Sequence, residues 1–373
     1  MSRSNVCTVS AASTLRGQER PYAGWVTTAA LKIREGVVLA PLTTFGIGGP
    51  ARYFAEAMTE EDVVAAVIWA RGHGVQLFVL GGGSNLLVRD AGFRGLVLKI
   101  GVMGVDACGD GCFEVGAGEV WDRFVERMMG AGMAGVECLA GIPGSVGGTP
   151  VQNVGAYGQE VAETIGSVRA FDVSEGKFVE LSKAECRFRY RESLFNTDEP
   201  GRYVVTRVRF RLRPGGEPNL RYADLQRRLG GMEGLTLTEV AKAVREIRRE
   251  KGMLLVEGDA DCRSAGSFFK NPIVGTEMLG SIAAAAGVEE NMVPHWPAGE
   301  GRVKVPAAWL LEQAGFVKGY GDGAAGISTR HTLALTNRGG ATCADIERLQ
   351  ARIVSGVKAR FGVSLQREPV LVG

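Results

Sequence analysis

The chain has 373 residues, which is enough for two or three domains. Its 45% hydrophobic and 23% charged residues are typical of a globular protein and exclude a disordered or fibrous one. Lys and Arg total 43 against 41 acidic residues, so the net charge of +2 gives no general attraction for nucleic acid or an anionic membrane.

The segment 1–40 reads as a loose N-terminal tail. Residues 1–30 contain no apolar run of the roughly 7–15 residues that a secretory signal requires. No stretch of the chain approaches the ~18–20 apolar residues of a membrane span. We therefore expect a soluble, cytoplasmic protein.

The cysteine pattern argues against a disulfide framework and against a zinc ribbon, because seven cysteines are an odd number and none forms a CxxC pair. Reduced thiols are the simplest expectation. The nearest pair, Cys108 and Cys112, has only three histidines in the whole chain to complete a metal site. We predict no metal.

The first half of the chain mixes helix and strand signals. Thr59 predicts a helix start, Asp62 completes a capping box, and Gly72 ends the helix. The apolar run Val75–Leu80 predicts a strand that leads into GGGSN.

Two more strands and a helix follow. The stretches VLKI, which contains Lys99, and FEVGAG, which contains Val115, read as strands. The stretch EVWDRFVERMM reads as a helix with Val120, Phe124 and Met128 facing inward. The first half of the chain is therefore predicted to be mixed α and β.

The segment Arg202–Arg213 predicts an antiparallel strand, because Val208, Phe210 and Leu212 alternate with arginines. The arginines of the opposite face are Arg207, Arg209, Arg211 and Arg213. They could approach a diphosphate, but a solvated outer face is the more common arrangement. The run Pro214–Pro218 then breaks the pattern, and we place a domain boundary there.

Three helices are predicted beyond that boundary. The first is the basic stretch TEVAKAVREIRREK, the second (PAAWLLEQAG) opens with Pro306 and closes with Gly315, and the third (TCADIERLQARIVSGVKARF) is capped by Thr342. These helices predict a smaller α+β domain.

Two short glycine-rich segments have some features of known cofactor loops. Leu80–Asn85 (LGGGSN) follows a buried strand, and backbone N–H groups in such a turn form a nest for a pyrophosphate. It lacks the Lys-Ser/Thr of a P-loop, which disfavours an NTPase. GIGGPA at Gly46 matches GxGxxA, yet no convincing helix follows and Pro50 lies inside it, which disfavours a Rossmann site.

The longest glycine-rich segment is Gly141–Gly158, GIPGSVGGTPVQNVGAYG. Such a segment buries few side chains of its own, so a large, partly apolar ligand packed against its backbone would explain its ordering. A structural Ω-loop is the alternative.

Two polar motifs place reaction-capable residues beside aromatic ones, Arg191 in RYRESLF and Ser267 in SAGSFFKNP. Taken singly, Arg191 could be a salt-bridged surface arginine and Ser267 a capping hydroxyl.

The motifs together resemble one enzyme family, the UDP-N-acetylenolpyruvoylglucosamine reductases (UDP-N-acetylmuramate dehydrogenases). The stretches that carry the resemblance, in order from about residue 40 to the end, are TTFGIGGPARYF, LGGGSNLLV, GIPGSVGGTPVQNVGAYG, CRFRYRESLF, AGSFFKNP and AAWLLEQAGFVKG. LRYADL and the basic helix after it resemble the longer form of the family.

The resemblance implies an α+β fold with an FAD-binding domain of the vanillyl-alcohol-oxidase (PCMH) type over residues 41–214. That domain would have two subdomains that meet near residue 100. A C-terminal α+β substrate-binding domain would occupy residues 219–373, with the last residues returning to the flavin site.

The resemblance also implies the flavin contacts. The GGGSN turn would hold the pyrophosphate, and the long glycine-rich segment would line the flavin. The residues implied are Gly81, Gly82, Gly83, Ser84, Asn85, Gly141, Ile142, Pro143, Gly144, Gly148, Asn153, Gly155, Ala156 and Tyr157.

In this family NADPH passes hydride to FAD, and the reduced flavin passes hydride to the vinyl methylene carbon of an enolpyruvyl sugar nucleotide. By resemblance, Arg191 stabilises the enolate-like charge with two directed hydrogen bonds. Ser267 matches the proton donor, although serine is a weaker acid than the usual donors. Glu368 matches the third catalytic residue, but the expected proline follows it, as Pro369. A solvated tail carboxylate is the alternative.

Four further residues match substrate-binding positions, with Tyr222 and Lys251 at the diphosphate and Asn271 and Gln313 elsewhere. The stretch between Lys251 and Ser267 is longer than the family pattern, which weakens the Lys251 match. We expect a monomer that binds the enolpyruvyl UDP-sugar and NADPH, and no nucleic acid or membrane. The alternatives are a related flavin oxidase that acts on a sugar alcohol or lactone, and a nucleotide-sugar-binding protein without catalysis.

Overall fold

The computed structural model describes residues 31–373 and the backbone of a short strand at residues 6–8. Of the predicted tail over residues 1–40, residues 32–38 form a sheet strand, so the expectation of a loose tail is wrong for that stretch. Backbone pairing with the strand Pro50–Ala57 holds it in place. Most of the remaining tail lies outside the described residues.

Strands and helices alternate along the chain. The strands are β1 Val6–Thr8, β2 Lys32–Val38, β3 Pro50–Ala57, β4 Leu77–Leu80, β5 Leu86–Val88, β6 Phe93–Ile100, β7 Val105–Gly109, β8 Cys112–Gly116, β9 Met133–Ala134, β10 Gly155–Ala156, β11 Gln159–Glu160, β12 Ile165–Asp172, β13 Lys177–Ser182, β14 Tyr203–Arg211, β15 Arg213–Pro214, β16 Ile273–Gly275, β17 Trp296–Pro297, β18 Arg302–Lys304, β19 Ala325–Ile327, β20 Leu335–Asn337 and β21 Val370–Val372. The helices are α1 Glu60–Gly72, α2 Trp121–Gly130, α3 Ala223–Leu229, α4 Leu237–Glu250, α5 Leu279–Ala286, α6 Ala307–Gln313 and α7 Cys343–Phe361.

The chain divides into two compact units whose segments interleave. The first unit contains the described residues up to Val38, with Pro50–Gly83 and Gly92–Arg249. The second contains Leu39–Gly49, Ser84–Ala91 and Glu250–Gly373. Both units combine helices with sheets, which confirms the α+β class. The domain limits predicted from the sequence stay predictions.

Two five-stranded sheets form the frame of the first unit. In the first sheet, of order β1-β2-β3-β6-β4, strands β3 and β4 run parallel to β6. The second sheet has the order β13-β12-β14-β8-β7 and is antiparallel throughout. Helix α1 begins as predicted, because Asp62 N donates to Thr59 Oγ1 at 3.2 Å and Thr59 N donates to Asp62 Oδ2 at 3.0 Å.

Helix α2 packs its aromatic residues on the second sheet. Phe124 lies 4.9 Å from Phe210 of β14, measured between ring centroids, and Trp121 lies 5.9 Å from the same ring. The prediction that Val120 faces inward is wrong. Val120 is the residue before the helix, with extended backbone angles, and its side chain is exposed, whereas Phe124 and Met128 are buried as predicted.

Strand β14 confirms the predicted alternation. Val208 and Phe210 are buried, as is Leu212 just beyond the strand. Their arginine neighbours lie on the opposite face, and β14 pairs antiparallel with β12 and β8.

The second unit contains smaller sheets, of which the pair β21-β5 is parallel. Helix α7 starts at the predicted cap, where Asp345 N donates to Thr342 Oγ1 at 3.1 Å. The segment GIGGPA leads into strand β3 rather than into a helix, which confirms that it is no Rossmann loop.

The expectation that all cysteines are reduced thiols is wrong for one pair. Cys108 and Cys112 form a disulfide across the β7–β8 hairpin, with Cα atoms 5.1 Å apart. The antiparallel register brings the two ends of this short turn together, which the cysteine spacing did not reveal.

Within residues 31–373 every helix is too short or too polar to span a membrane.

Candidate flavin and catalytic sites

The glycine turn after β4 packs directly against the long glycine-rich segment. A Cβ at Gly82 would lie 2.5 Å from Gly144 Cα, and Gly83 has a φ of +66°. No side chain fits at position 82 without moving that backbone. One of these segments is predicted to hold the pyrophosphate of FAD and the other to line the flavin. The two segments therefore meet within the first unit.

Ser145 supplies an observation that fits a bound pyrophosphate. Its Oγ is buried and has no hydrogen-bond partner among the described residues, and it lies 2.7 Å from the position that a Cβ of Gly81 would occupy. Burying a hydroxyl without a hydrogen-bond partner costs free energy, and a ligand that accepts a hydrogen bond from it removes that cost. A phosphate oxygen is such an acceptor. The residues here therefore fit the pyrophosphate of FAD. Sequence reasoning did not single out Ser145, which was read only as part of the long glycine-rich segment.

Gly141, the first residue of the long segment, is hydrogen-bonded through both its N–H and its carbonyl oxygen. Gly141 N donates to Asp122 Oδ1 of α2 at 2.6 Å, and Gly141 O accepts from Arg248 Nε of α4 at 2.9 Å. Arg245 donates to the same Asp122 oxygen at 2.8 Å. These contacts fix the start of the predicted flavin-lining segment to two helices.

Arg248 reaches both ends of that segment. Its side chain is buried, and it is hydrogen-bonded to Tyr157 as well as to Gly141. Burial lowers the pKa of Arg248, while Tyr157 and Asp122 act to raise it. Sequence reasoning placed Arg248 only in a basic helix, because its partner Gly141 lies 107 residues away.

Backbone strain is concentrated on three of the predicted site residues. Asn153, Tyr157 and Arg191 have φ angles of +43°, +49° and +59°, which side-chain-bearing residues rarely adopt. Such conformations persist where surrounding contacts enforce them, and they cluster at functional sites. The buried Asn153 is enforced by its own amide, which donates to Glu160 Oε2 at 2.8 Å and to Arg189 O at 3.0 Å.

Arg191 lies against the backbone of the long segment. Its guanidinium donates to Gly155 O at 2.7 Å and to Asn153 O at 3.5 Å, and its side chain is half-buried. The structure thus brings Arg191 together with Asn153 and Gly155 of the predicted flavin set.

Tyr157 and Tyr222 form an edge-to-face pair, with ring centroids 5.2 Å apart and an interplanar angle of 87°. Tyr222 was predicted to bind substrate and Tyr157 to line the flavin. The first unit therefore also brings these two residues into contact.

In the second unit, Ser267 and Glu368 lie on adjacent stretches of backbone. Glu368 N donates to Phe268 O at 2.9 Å, and Phe268 N donates to Leu333 O at 2.7 Å. Asn85 completes the group, because Val370 N donates to Asn85 O at 2.9 Å and Asn85 Nδ2 donates to Glu368 O at 3.4 Å. The backbone around Glu368 is therefore fixed by strand contacts.

The other predicted residues of the second unit belong to separate segments of the chain. Ser84 O accepts from Thr44 Oγ1 at 3.3 Å. Asn271 Oδ1 accepts from Ala307 N at 3.0 Å and so caps α6, whose last residue is Gln313. Lys251 directly follows α4. Asn271 therefore has a structural role that the sequence did not indicate, and no hydrogen bond described here links it to Gln313.

Comparisons with known proteins assign both halves of the chain. Residues 51–182 match the model of an FAD binding domain, and residues 258–372 match the model of the UDP-N-acetylenolpyruvoylglucosamine reductase C-terminal domain. These matches, with mixed helices and strands in both units, confirm the predicted class of FAD-binding domain with a C-terminal α+β domain.

Full-length relatives agree with the family models. A UDP-N-acetylenolpyruvoylglucosamine reductase of Streptomyces coelicolor is 51% identical over 90% of this chain and 89% of its own length. The UDP-N-acetylenolpyruvoylglucosamine reductase of Thermobifida fusca is 46% identical over 91% of this chain and 98% of its own length. The crystal structure of UDP-N-acetylenolpyruvylglucosamine reductase from Thermus caldophilus, 27% identical, covers 92% of this chain and 100% of its own with a TM-score of 0.64. The chain belongs to the UDP-N-acetylenolpyruvoylglucosamine reductase family and is an FAD-binding oxidoreductase.

Proposed function

We propose that the chain reduces UDP-N-acetylglucosamine enolpyruvate to UDP-N-acetylmuramate, with NADPH as the reductant and FAD as the cofactor. The reaction would belong to cytoplasmic synthesis of peptidoglycan precursors, and the enzyme would act as a monomer. Support comes from the family, whose named members are reductases of this substrate, and from the FAD-binding domain.

One observation carries the proposal furthest. The Arg191 guanidinium is hydrogen-bonded to Gly155 O, in the segment proposed to line the flavin. Its positive charge is thereby held next to the proposed cofactor site, and a planar guanidinium can donate two parallel hydrogen bonds to a carboxylate.

The residues proposed to hold FAD are those of the glycine turn, with Ser145 added, and those of the long segment. Ser84 and Asn85 complete the turn in the proposal. When bound, FAD takes hydride from NADPH and delivers it to the vinyl methylene carbon of the substrate.

The protein's own side chains manage the charge that hydride addition creates. Arg191 would bind the substrate carboxylate and stabilise the negative charge that spreads onto it from the adjacent carbon. Ser267 would donate its hydroxyl proton to that carbon. A weak acid would suffice there because the acceptor is a strongly basic carbanion and the donor would be held in a fixed geometry. Glu368 is proposed as the third catalytic residue.

Substrate binding is proposed for four residues. Tyr222 and Lys251 would hold the diphosphate, and Asn271 and Gln313 would contact other parts of the substrate. For Asn271 the amide NH₂ would make the contact, because Oδ1 accepts from Ala307 N.

The test uses the purified full-length protein. We expect it to be yellow with bound FAD and to oxidise NADPH only when the enolpyruvyl sugar nucleotide is supplied, with NADH as the comparison. A colourless protein that FAD does not reconstitute would contradict the proposal. Reduction of oxygen with a sugar alcohol would instead support a flavin oxidase, and substrate binding without turnover would support a binding protein.

A further inference from the structure

Four alternating arginines, three on β14 and the last at the start of β15, divide into a pair with ion pairs and a pair without. Arg209 forms an ion pair with Glu114 at 2.8 Å, and Arg207 lies 3.8 Å from Asp106 and 3.9 Å from Glu114. Within residues 31–373 neither Arg211 nor Arg213 forms an ion pair with any carboxylate. Among the described residues, no carboxylate therefore lies close enough to compensate the charge of the second pair.

These two arginines line a cavity of about 400 Å³ in the first unit, which we call the arginine pocket. A third arginine, Arg221, also lines it and likewise has no ion pair among the described residues. Two carboxylates, Glu163 and Glu217, complete its charged lining. None of the lining residues belongs to the flavin or substrate contacts proposed above. Cavities that bind small molecules have about this volume.

One buried carboxylate binds three residues of the pocket lining. Glu137 is completely buried and accepts hydrogen bonds from Gly135 N at 2.7 Å, Asn219 N at 2.9 Å and Gln159 Nε2 at 2.8 Å. Gly135, Asn219 and Gln159 all line the pocket. Three segments of the lining are thus tied to one buried group, which supports a cavity that exists before a ligand enters.

The mixed lining indicates the chemistry of the ligand. Guanidinium groups donate in a planar fork that matches phosphate oxygens, so the arginines select a phosphate group. Glu163 and Glu217 would repel a plain anion, but their oxygens accept hydrogen bonds from hydroxyl groups. A ligand with a phosphate at one end and several hydroxyls at the other satisfies both sets.

We propose that the arginine pocket binds a hydroxylated phosphate ester of the sugar-phosphate class. The binding site is formed by Arg211, Arg213 and Arg221 around the phosphate and by Glu163 and Glu217 around the hydroxyls. It is additional to the proposed reductase site and does not depend on the reductase reaction.

The test is isothermal titration of the FAD-loaded full-length protein with glucose 6-phosphate, and separately with inorganic phosphate and with glucose. We expect glucose 6-phosphate to bind at least about tenfold more tightly than either fragment. Arg211→Gln and Arg213→Gln should each weaken that binding by about tenfold or more, because each removes a charge-assisted hydrogen-bond donor.

Two further variants make the test specific. Arg209→Gln is the matched control, because Arg209 lies on the same strand but is neutralised by Glu114, and it should leave binding within about twofold. Glu217→Gln should weaken glucose 6-phosphate binding yet strengthen binding of inorganic phosphate, since it removes a negative charge and replaces one of two acceptor oxygens with a donor.

Three results would overturn the proposal. The first is absence of glucose 6-phosphate binding at millimolar concentration. The second is equal loss of binding in Arg209→Gln and Arg211→Gln. The third is binding in wild type that shifts the flavin absorbance and persists in an Arg211→Gln, Arg213→Gln double variant. The last result would place the ligand at the flavin site instead.

Discussion

The buried guanidinium of Arg248 donates through Nε to the carbonyl oxygen of Gly141 at 2.9 Å, although 107 residues separate the two. The same side chain is hydrogen-bonded to Tyr157, at the other end of the segment proposed to line the flavin. One residue of α4 thus holds both ends of that segment, and this arrangement leads to the first prediction.

Replacement of Arg248 should loosen the flavin site before it affects chemistry. Arg248→Gln shortens the side chain and loses the charge, so we expect FAD to dissociate about tenfold more readily, since a hydrogen bond to a charged donor contributes about 1.5–3 kcal/mol. Arg248→Lys keeps the charge but not the fork and should be intermediate. Flavin fluorescence on dilution measures the release. The exposed Lys242 of the same helix is the control, and Lys242→Gln should retain FAD like wild type.

Ser145→Ala should weaken FAD binding without destabilising the apoprotein. The hydroxyl is buried without a partner in the described structure, so its removal should leave apoprotein stability unchanged or raise it by about 1 kcal/mol. FAD affinity should fall by about tenfold. Thermal unfolding with and without FAD measures both.

Ser193→Ala is the contrasting control for Ser145. The Ser193 hydroxyl is also buried but donates to Val151 O at 2.6 Å, so its loss should destabilise the apoprotein. If Ser145→Ala destabilised the apoprotein as Ser193→Ala does and bound FAD normally, the proposed contact with the pyrophosphate would be wrong.

Arg191→Lys should lower kcat by about 10²-fold or more, because lysine cannot donate a planar pair of hydrogen bonds to the substrate carboxylate. Steady-state NADPH oxidation measures the effect. Arg189→Lys is the control, since Arg189 is exposed and paired with Asp198 at 2.8 Å, and kcat should stay within about twofold. Equal losses in the two variants would remove the special role of Arg191.

Asp172 should make the protein sensitive to acid. Burial alone would raise its pKa, but hydrogen bonds from Arg202, Ser174 and the backbone of Glu175 outweigh burial and lower the pKa from 3.8 to about 2. A lowered carboxyl pKa contributes stability above its ordinary value, and that stability is lost as pH falls from about 4 to about 2. We expect a loss of roughly 2 kcal/mol over that window. In Asp172→Asn the free energy of unfolding, from urea titrations, should fall less across the same window, and an unchanged slope would contradict the assignment.

Local signals in the sequence predicted much of the secondary structure. The caps at Thr59 and Thr342 lie within three residues of their partners, and the alternation along β14 needs only its own residues. Features that depend on distant contacts were missed. Val120 faces outward because the helix begins one residue later, and Cys108 pairs with Cys112 only because of the hairpin register.

The site shows the same division. The glycine segments and Arg191 could be found because unusual composition and family-like motifs mark them. Ser145 and Arg248 could not, because a serine in a glycine-rich turn and an arginine in a basic helix are ordinary until the backbone places Gly81 and Gly141 beside them. The helix cap by Asn271 was missed for the same reason, as Ala307 is 36 residues away.

The reductase mechanism is tested most directly by stopped-flow absorbance of the flavin in Ser267→Ala. In the proposed first half-reaction NADPH would bleach the flavin, and in the second the enolpyruvyl substrate would restore its colour. Because Ser267 is proposed to act only as the proton donor to substrate, bleaching should proceed at nearly the wild-type rate. The return of colour should slow by a large factor, about 10²-fold or more. Equal slowing of both half-reactions, or of neither, would contradict this account.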